Sequence, residues 1–163
     1  MMTTFLPIRL TPSIRTFSFK TWLLAVSLLI TPQAFAVDAV NTTFFGNLAI
    51  EGYDPVAYFT ENKPVEGNEK HQTEWMDANW RFSSAANLAL FKENPEKYAP
   101  QYGGYCAYAV SQNSVAGIKP ELFTIHGGKL YLNYNRSINK KWRQDRDQLI
   151  IDANQYWPQL LAK

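Results

Sequence analysis

The one cysteine of the chain, Cys106, lies in Gln101-Tyr102-Gly103-Gly104-Tyr105-Cys106-Ala107-Tyr108-Ala109-Val110, where three tyrosines and a Gly-Gly step surround it. At a helix start, with its pKa depressed, a thiol serves as a nucleophile, a redox centre or a soft-metal ligand such as a Cu(I) ligand. Glycines beside it let backbone N–H groups approach a bound molecule. The same residue also packs as a small apolar side chain, because free cysteine is among the most buried residue types. On the sequence alone both uses stay open.

The partners such chemistry needs are sparse. A nucleophile wants a base, and the only imidazoles are His71, in a charged stretch, and His126, at a predicted hairpin tip. No triad is supported. Cys106, Met76, His71 and His126 could together hold a transition metal, but no pair among them has a ligand spacing on one element. Asp54 precedes Pro55, so it serves either as an acid or as a helix N-cap. Tyrosine offers an apolar body with a hydroxyl, and Tyr53, Tyr58, Tyr102, Tyr105 and Tyr108 are candidates to line a pocket. The candidate ligand site therefore gathers Tyr53, Asp54, Tyr102, Gly103, Gly104, Tyr105 and Cys106, with Cys106 the candidate metal ligand. Asp145 and Asp147 interrupt the basic cluster of Arg136, Lys140, Lys141, Arg143 and Arg146, which is expected to be a solvated helix face.

The leader sets the compartment. Arg9, Arg15 and Lys20 precede the apolar run Trp22 to Ile30, and Ala34-Phe35-Ala36 supplies a small-x-small cleavage site, the pattern of a signal peptide over residues 1–36. The apolar run is shorter than the roughly 20 residues a membrane span requires, and no later stretch is suitable. The expectation is a periplasmic or secreted domain over 37–163 with no stable span. Without the leader, 13 basic residues face 14 acidic ones, so the basic balance belongs to the leader. A nucleic-acid partner then lacks the electrostatic term that supplies most non-specific affinity. A single cysteine also excludes an internal disulfide.

The elements that would position these residues form an α+β pattern. Leu48-Ala49-Ile50 is a short strand, and Asp54-Pro55 opens a helical turn. Residues 60–72 carry charges with Pro64 and Gly67 and are expected as an exposed loop. Trp75, Trp80 and Phe82 flank Asp77-Ala78-Asn79 in a hairpin, Ser84 caps a helix through Phe91, and Asn94-Pro95 starts another that Pro100 closes. The Cys106 segment is expected as a helix, since Tyr102, Cys106 and Ala109 or Val110 recur at helical spacing. Gly127-Gly128 joins two strands in which Leu130, Leu132 and Tyr134 share a face. Ser137 caps a helix whose pattern continues to a break before Pro158. Trp75, Trp80, Trp142 and Trp157 are expected in the core. The fold class is α+β, a small antiparallel sheet packed with several short helices in a single domain.

Four strings in order, Gly52-Tyr53-Asp54-Pro55-Val56-Ala57-Tyr58-Phe59, Trp80-Arg81-Phe82-Ser83-Ser84, Phe91-Lys92-Glu93-Asn94-Pro95-Glu96-Lys97-Tyr98 and Tyr102-Gly103-Gly104-Tyr105-Cys106-Ala107, resemble the YHS-domain family. Lys129-Leu130-Tyr131-Leu132-Asn133-Tyr134-Asn135 with Lys141-Trp142 is similar to its exported, stand-alone branch, and the resemblance covers Gly46 to Leu161. It implies a metal-associated or small-ligand binding module. Relatives accompany heavy-metal transport ATPases and monooxygenase subunits, so an envelope protein partner, a transporter or an oxygenase, is a further implication. The thiols of cysteine-bearing relatives are replaced here by Ala57, Ser83, Ser84 and Ala86, which removes their thiolate cluster. Non-catalytic binding is the leading expectation, and a thiol-dependent redox protein or enzyme using Cys106 the alternative.

Overall fold

The computed structural model describes residues 37–162, and the leader expected over 1–36 lies outside them. Among the described residues, six helices and two two-stranded antiparallel sheets make up an α+β fold. The helices are α1 (Ala57–Thr60), α2 (Ala85–Glu93), α3 (Pro95–Tyr98), α4 (Ala107–Ser111), α5 (Arg136–Gln144) and α6 (Arg146–Leu161). The strands are β1 (Asn68–Trp75) with β2 (Ala78–Phe82), and β3 (Lys119–His126) with β4 (Lys129–Asn133). The expected antiparallel pairing is therefore divided between two separate hairpins. No helix among the described residues is long and apolar enough to cross a membrane.

Local chemistry explains most boundaries. Ser84 Oγ accepts the Asn87 N–H to start α2, and Asn94 Oδ1 accepts the Lys97 N–H with Pro95 in the first turn of α3. Gly127 and Gly128, both at positive φ, make the β3–β4 turn. Met76 and Asp77, at φ 50 and 57, make the β1–β2 turn.

Four expectations are corrected. The stretch 60–72 is not all loop, because β1 begins at Asn68, with a register shift between Asn68 and Gln72. It is an exposed edge whose Glu69 pairs with Arg81 at 2.7 Å, and a charged edge strand has the composition of a loop. Ile50 belongs to a 3-10 turn (Ile50–Gly52) rather than a strand. Asn135, not Ser137, caps α5 by accepting the Ile138 N–H. Asp145 separates α5 from α6, and α6 runs through Pro158; the carbonyl that loses its partner there belongs to exposed Asn154, within reach of water.

Two packed clusters meet at β4. Leu130 and Leu132 face one with Val56, Tyr58, Trp80, Phe82 and Phe91, while Tyr131 faces the other with Val110, Trp142, Ala153 and Leu160. Strand periodicity of two sends alternate side chains to opposite faces, so β4 is buried on both. Tyr134 lies past the strand end and is 51% exposed. Trp80 and Trp142 are buried in these cores, whereas Trp75 and Trp157 are only half-buried.

Candidate functional site

Residues 100–106 carry most of the sequence-predicted site, and their backbone is not one helix. Gln101–Gly104 is a 3-10 turn in which Tyr102, Gly103 and Gly104 all have positive φ, Tyr105 is extended, and α4 starts only after Cys106. Three consecutive left-handed residues reverse the chain, and helical spacing cannot reveal that. Pro100 and Cys106 form isolated parallel bridges with Leu130 and Leu132, which seat the segment beside β4.

The glycines admit the chain's own backbone. The Gly103 carbonyl accepts the Asn41 N–H at 2.8 Å, Gly104 O accepts Asn41 Nδ2 at 3.3 Å, and a Cβ on Gly103 would run into the Ala39 carbonyl. Cys106 is 1% exposed. Its Sγ lies 3.6 Å from Asn133 Oδ1, which also accepts the Tyr108 N–H, and Asn133 donates to Asn139. Neither His71 nor His126 is among its hydrogen-bond partners; His126 Nε2 lies 3.1 Å from Asp147 Oδ1. Among the described residues no three His, Cys, Asp or Glu side chains group so as to hold a metal ion. A thiol sealed beside one amide does not fit a soft-metal centre.

Asp54 is fully buried and accepts five hydrogen bonds. Oδ1 takes the N–H groups of Val56 and Ala57, and Oδ2 takes the Ser83 N–H, the Ser83 hydroxyl and Asn87 Nδ2. It ties the start of α1 to the start of α2. Tyr53 is half-buried beside Glu66, and desolvation together with that carboxylate pushes its phenol above the ordinary value.

Tyr102 and Gly103 do line a cleft, one of about 280 Å³. The hairpin contributes Trp75, Met76 and Trp80, the turn before α4 contributes Pro100, Gln101, Tyr102 and Gly103, α6 contributes Asn154, Trp157 and Leu161, and α3 contributes Glu96. Tyr53, Asp54, Gly104, Tyr105 and Cys106 do not line it. The rings are held in place. Trp80 Nε1 donates to the Trp75 carbonyl at 2.9 Å with the two indoles edge to face, and the Tyr102 hydroxyl donates to Asn154 Oδ1 at 3.0 Å. Tyr102 and Tyr105 both pack on Trp157, with centroids 6.1 and 5.9 Å away. Burial raises the Tyr102 phenol well above its usual pKa, with Tyr131 adding to the shift, and burial with Asp38 raises Tyr105. A wider hollow, about 490 Å³ between Lys119, Glu121 and Arg136, is walled mainly by exposed side chains.

The span from the Asp54-capped turn through the hairpin and the two capped helices to Tyr102 carries the decisive pattern. Residues 56–102 match the family model of the YHS domain. Neither the curated proteins nor the solved structures gave a match to the chain. The YHS segment supplies Trp75, Met76, Trp80, Glu96 and Tyr102 to the cleft, while Asn154 and Trp157 come from beyond it. Sequence reasoning placed Trp75 and Trp157 in the core and Met76 among metal ligands rather than at a cleft, since a half-buried tryptophan at an apolar position has the same pattern as a core one.

Proposed function

We propose that this chain is an exported YHS-domain binding module that takes a small ligand in the cleft between the β1–β2 hairpin, the Tyr102 turn and α6, without catalysing a reaction. The observation that carries this is strain. Tyr102, bulky and outside either hairpin turn, is held in the left-handed region at φ 57 and lines this cleft. Such a residue costs about 1–3 kcal/mol and persists only where the surrounding structure over-determines it, and residues of this kind cluster at ligand sites. Ile50 and Glu51 share that conformation in the turn before Tyr53. The cleft walls combine aromatic rings and aliphatic side chains with two amides and one carboxylate, a mix suited to recognition. The metal association implied by the YHS resemblance finds no thiolate set on Cys106, so the proposed ligand is an organic molecule. Export rests on the leader pattern of residues 1–36.

The test is a two-dimensional NMR titration of the protein with a panel of small ammonium, carboxylate and neutral fragments. Shifts should concentrate at Met76, Gln101 and the indole N–H of Trp157. Shifts confined to the hollow at Lys119 and Arg136, or none from any fragment, would remove the proposal. N-terminal sequencing of chain recovered from the cell envelope or medium should begin at Val37, and recovery of an intact leader would remove the export part.

A further inference from the structure

From the charge and the rings of this cleft we infer its ligand class: a small organic cation, of the alkylammonium type, held by cation–π contact with the half-buried Trp75 and Trp157 and by the Glu96 carboxylate. The inference rests on the proposed use of the cleft and adds to it the sign of the ligand's charge.

Three observations converge. First, among the described residues Glu96 is the only charged side chain that lines the cleft, and no lysine, arginine or histidine of those residues does. Second, an adjoining hollow of about 210 Å³ shares Ala39, Val40 and Met76 with the cleft, and its own charged side chains are Asp38 and Asp77. The charged side chains that line the cleft and the hollow are thus all acidic, and a cleft lined by charge of one sign concentrates ligands of the other. The nearest cation in sequence, Lys97, is already engaged: its ammonium sits over the Tyr98 ring, 4.9 Å from the centroid. Third, the aromatic walls are packed before any ligand arrives, Trp75 edge to face against Trp80 and Phe91 on one side and Trp157 against Tyr102 and Tyr105 on the other. Pre-set rings spare the ordering cost of binding, and their faces attract cations more strongly when desolvated. An anion would meet Glu96 with no counter-charge. A neutral apolar ligand would use the rings and leave the carboxylate idle.

Calorimetry on the purified protein with choline and with its neutral isostere 3,3-dimethyl-1-butanol separates the two claims. Choline should bind about tenfold more tightly, the ratio that cation–π contact of order 1–2 kcal/mol supplies. Glu96→Gln, a near-isosteric change at an exposed position, should weaken choline severalfold and leave the isostere unchanged. Trp157→Leu should weaken both, with near-ultraviolet circular dichroism as the control for folding. Equal affinity for choline and the isostere, or choline affinity indifferent to Glu96→Gln, overturns the cation inference while the cleft stands. Binding of neither compound overturns the inference for this ligand class, and the fragment titration then decides separately whether the cleft binds anything.

Discussion

Asp54 and Ser83 are joined twice, Asp54 Oδ2 accepting the Ser83 backbone N–H at 2.8 Å and its hydroxyl at 2.7 Å. The link spans the distance from the turn before α1 to the turn before α2, and Asn87 Nδ2 adds a third donor to the same oxygen at 2.7 Å. A carboxylate with this many donors belongs to the scaffold. Its removal leaves those donors buried without an acceptor, each at about 1–3 kcal/mol if water cannot reach it. Asp54→Ala should therefore lower stability by about 3–5 kcal/mol in urea unfolding, a size typical of breaking a buried charged network. Asp54→Asn should also destabilise, because its amide nitrogen faces donors. A loss below about 1 kcal/mol in Asp54→Ala would mean the network does not hold the two turns together.

Gly103 is a scaffold position and a cleft position at once. Its φ is +58, and a Cβ there would meet the Ala39 carbonyl, so Gly103→Ala must push away the segment whose Asn41 N–H donates to Gly103 O. Hydrogen exchange should show Asn41 losing protection while amides of β4 keep theirs. Ala39 and Val40 also line the cleft, so fragment shifts at Met76 and Gln101 should shrink in the same variant. Unchanged protection at Asn41 would contradict this placement of the glycine.

How much of this was legible depends on whether a residue's role is local. Ser84 and Asn94 cap the helices that follow them, and Gly127-Gly128 turns a hairpin, because each acts on backbone within four residues. The same locality made Asp54 a cap, but its bonds to Ser83 and Asn87 arise from tertiary packing. The left-handed run Tyr102–Gly104 was hidden, since a tyrosine followed by two glycines keeps helical spacing with Cys106. The charges of β1 concealed a strand because one of its edges faces water. Of the expected site, Tyr102 and Gly103 lie on the cleft and Tyr53, Asp54 and Cys106 lie away from it. Trp75 and Trp157 come to that cleft from positions far apart in the chain, a juxtaposition only the fold creates.

Alkaline titration should reveal the buried phenols. Tyr53, Tyr58, Tyr102, Tyr105 and Tyr131 all have raised pKa values, and desolvation by burial is the leading cause in each. For Tyr58, buried with its hydroxyl donating to Pro120 O at 3.2 Å, the shift is large. A phenol whose pKa is higher folded than unfolded contributes stability that is complete below the unfolded value near pH 10 and is lost as pH rises through the folded value. Stability should thus be insensitive to these groups through neutral pH and fall above about pH 10. Phenolate absorbance should rise later in the folded protein than in urea for these five of the nine tyrosines. Coincident titrations in the two states would show that burial does not shift them.

Cys106 provides the sharpest separation between a scaffold thiol and a reactive one. Its side chain is 1% exposed and faces Asn133 Oδ1, and its own N–H donates to Ala116 O at 3.0 Å, so a reagent can reach sulfur only when the β4–α4 contact opens. Maleimide should leave the native thiol unmodified on the timescale that labels it fully in urea, and the native rate should track global stability across denaturant concentrations. Cys106→Ser retains a donor for Asn133, and Cys106→Ala leaves that oxygen the Tyr108 N–H as its donor, so each should cost about 1 kcal/mol. Both variants should bind cleft ligands like the parent. Rapid native labelling that accelerates through a pH midpoint below the ordinary thiol range would instead establish an accessible thiolate, and with it the redox alternative.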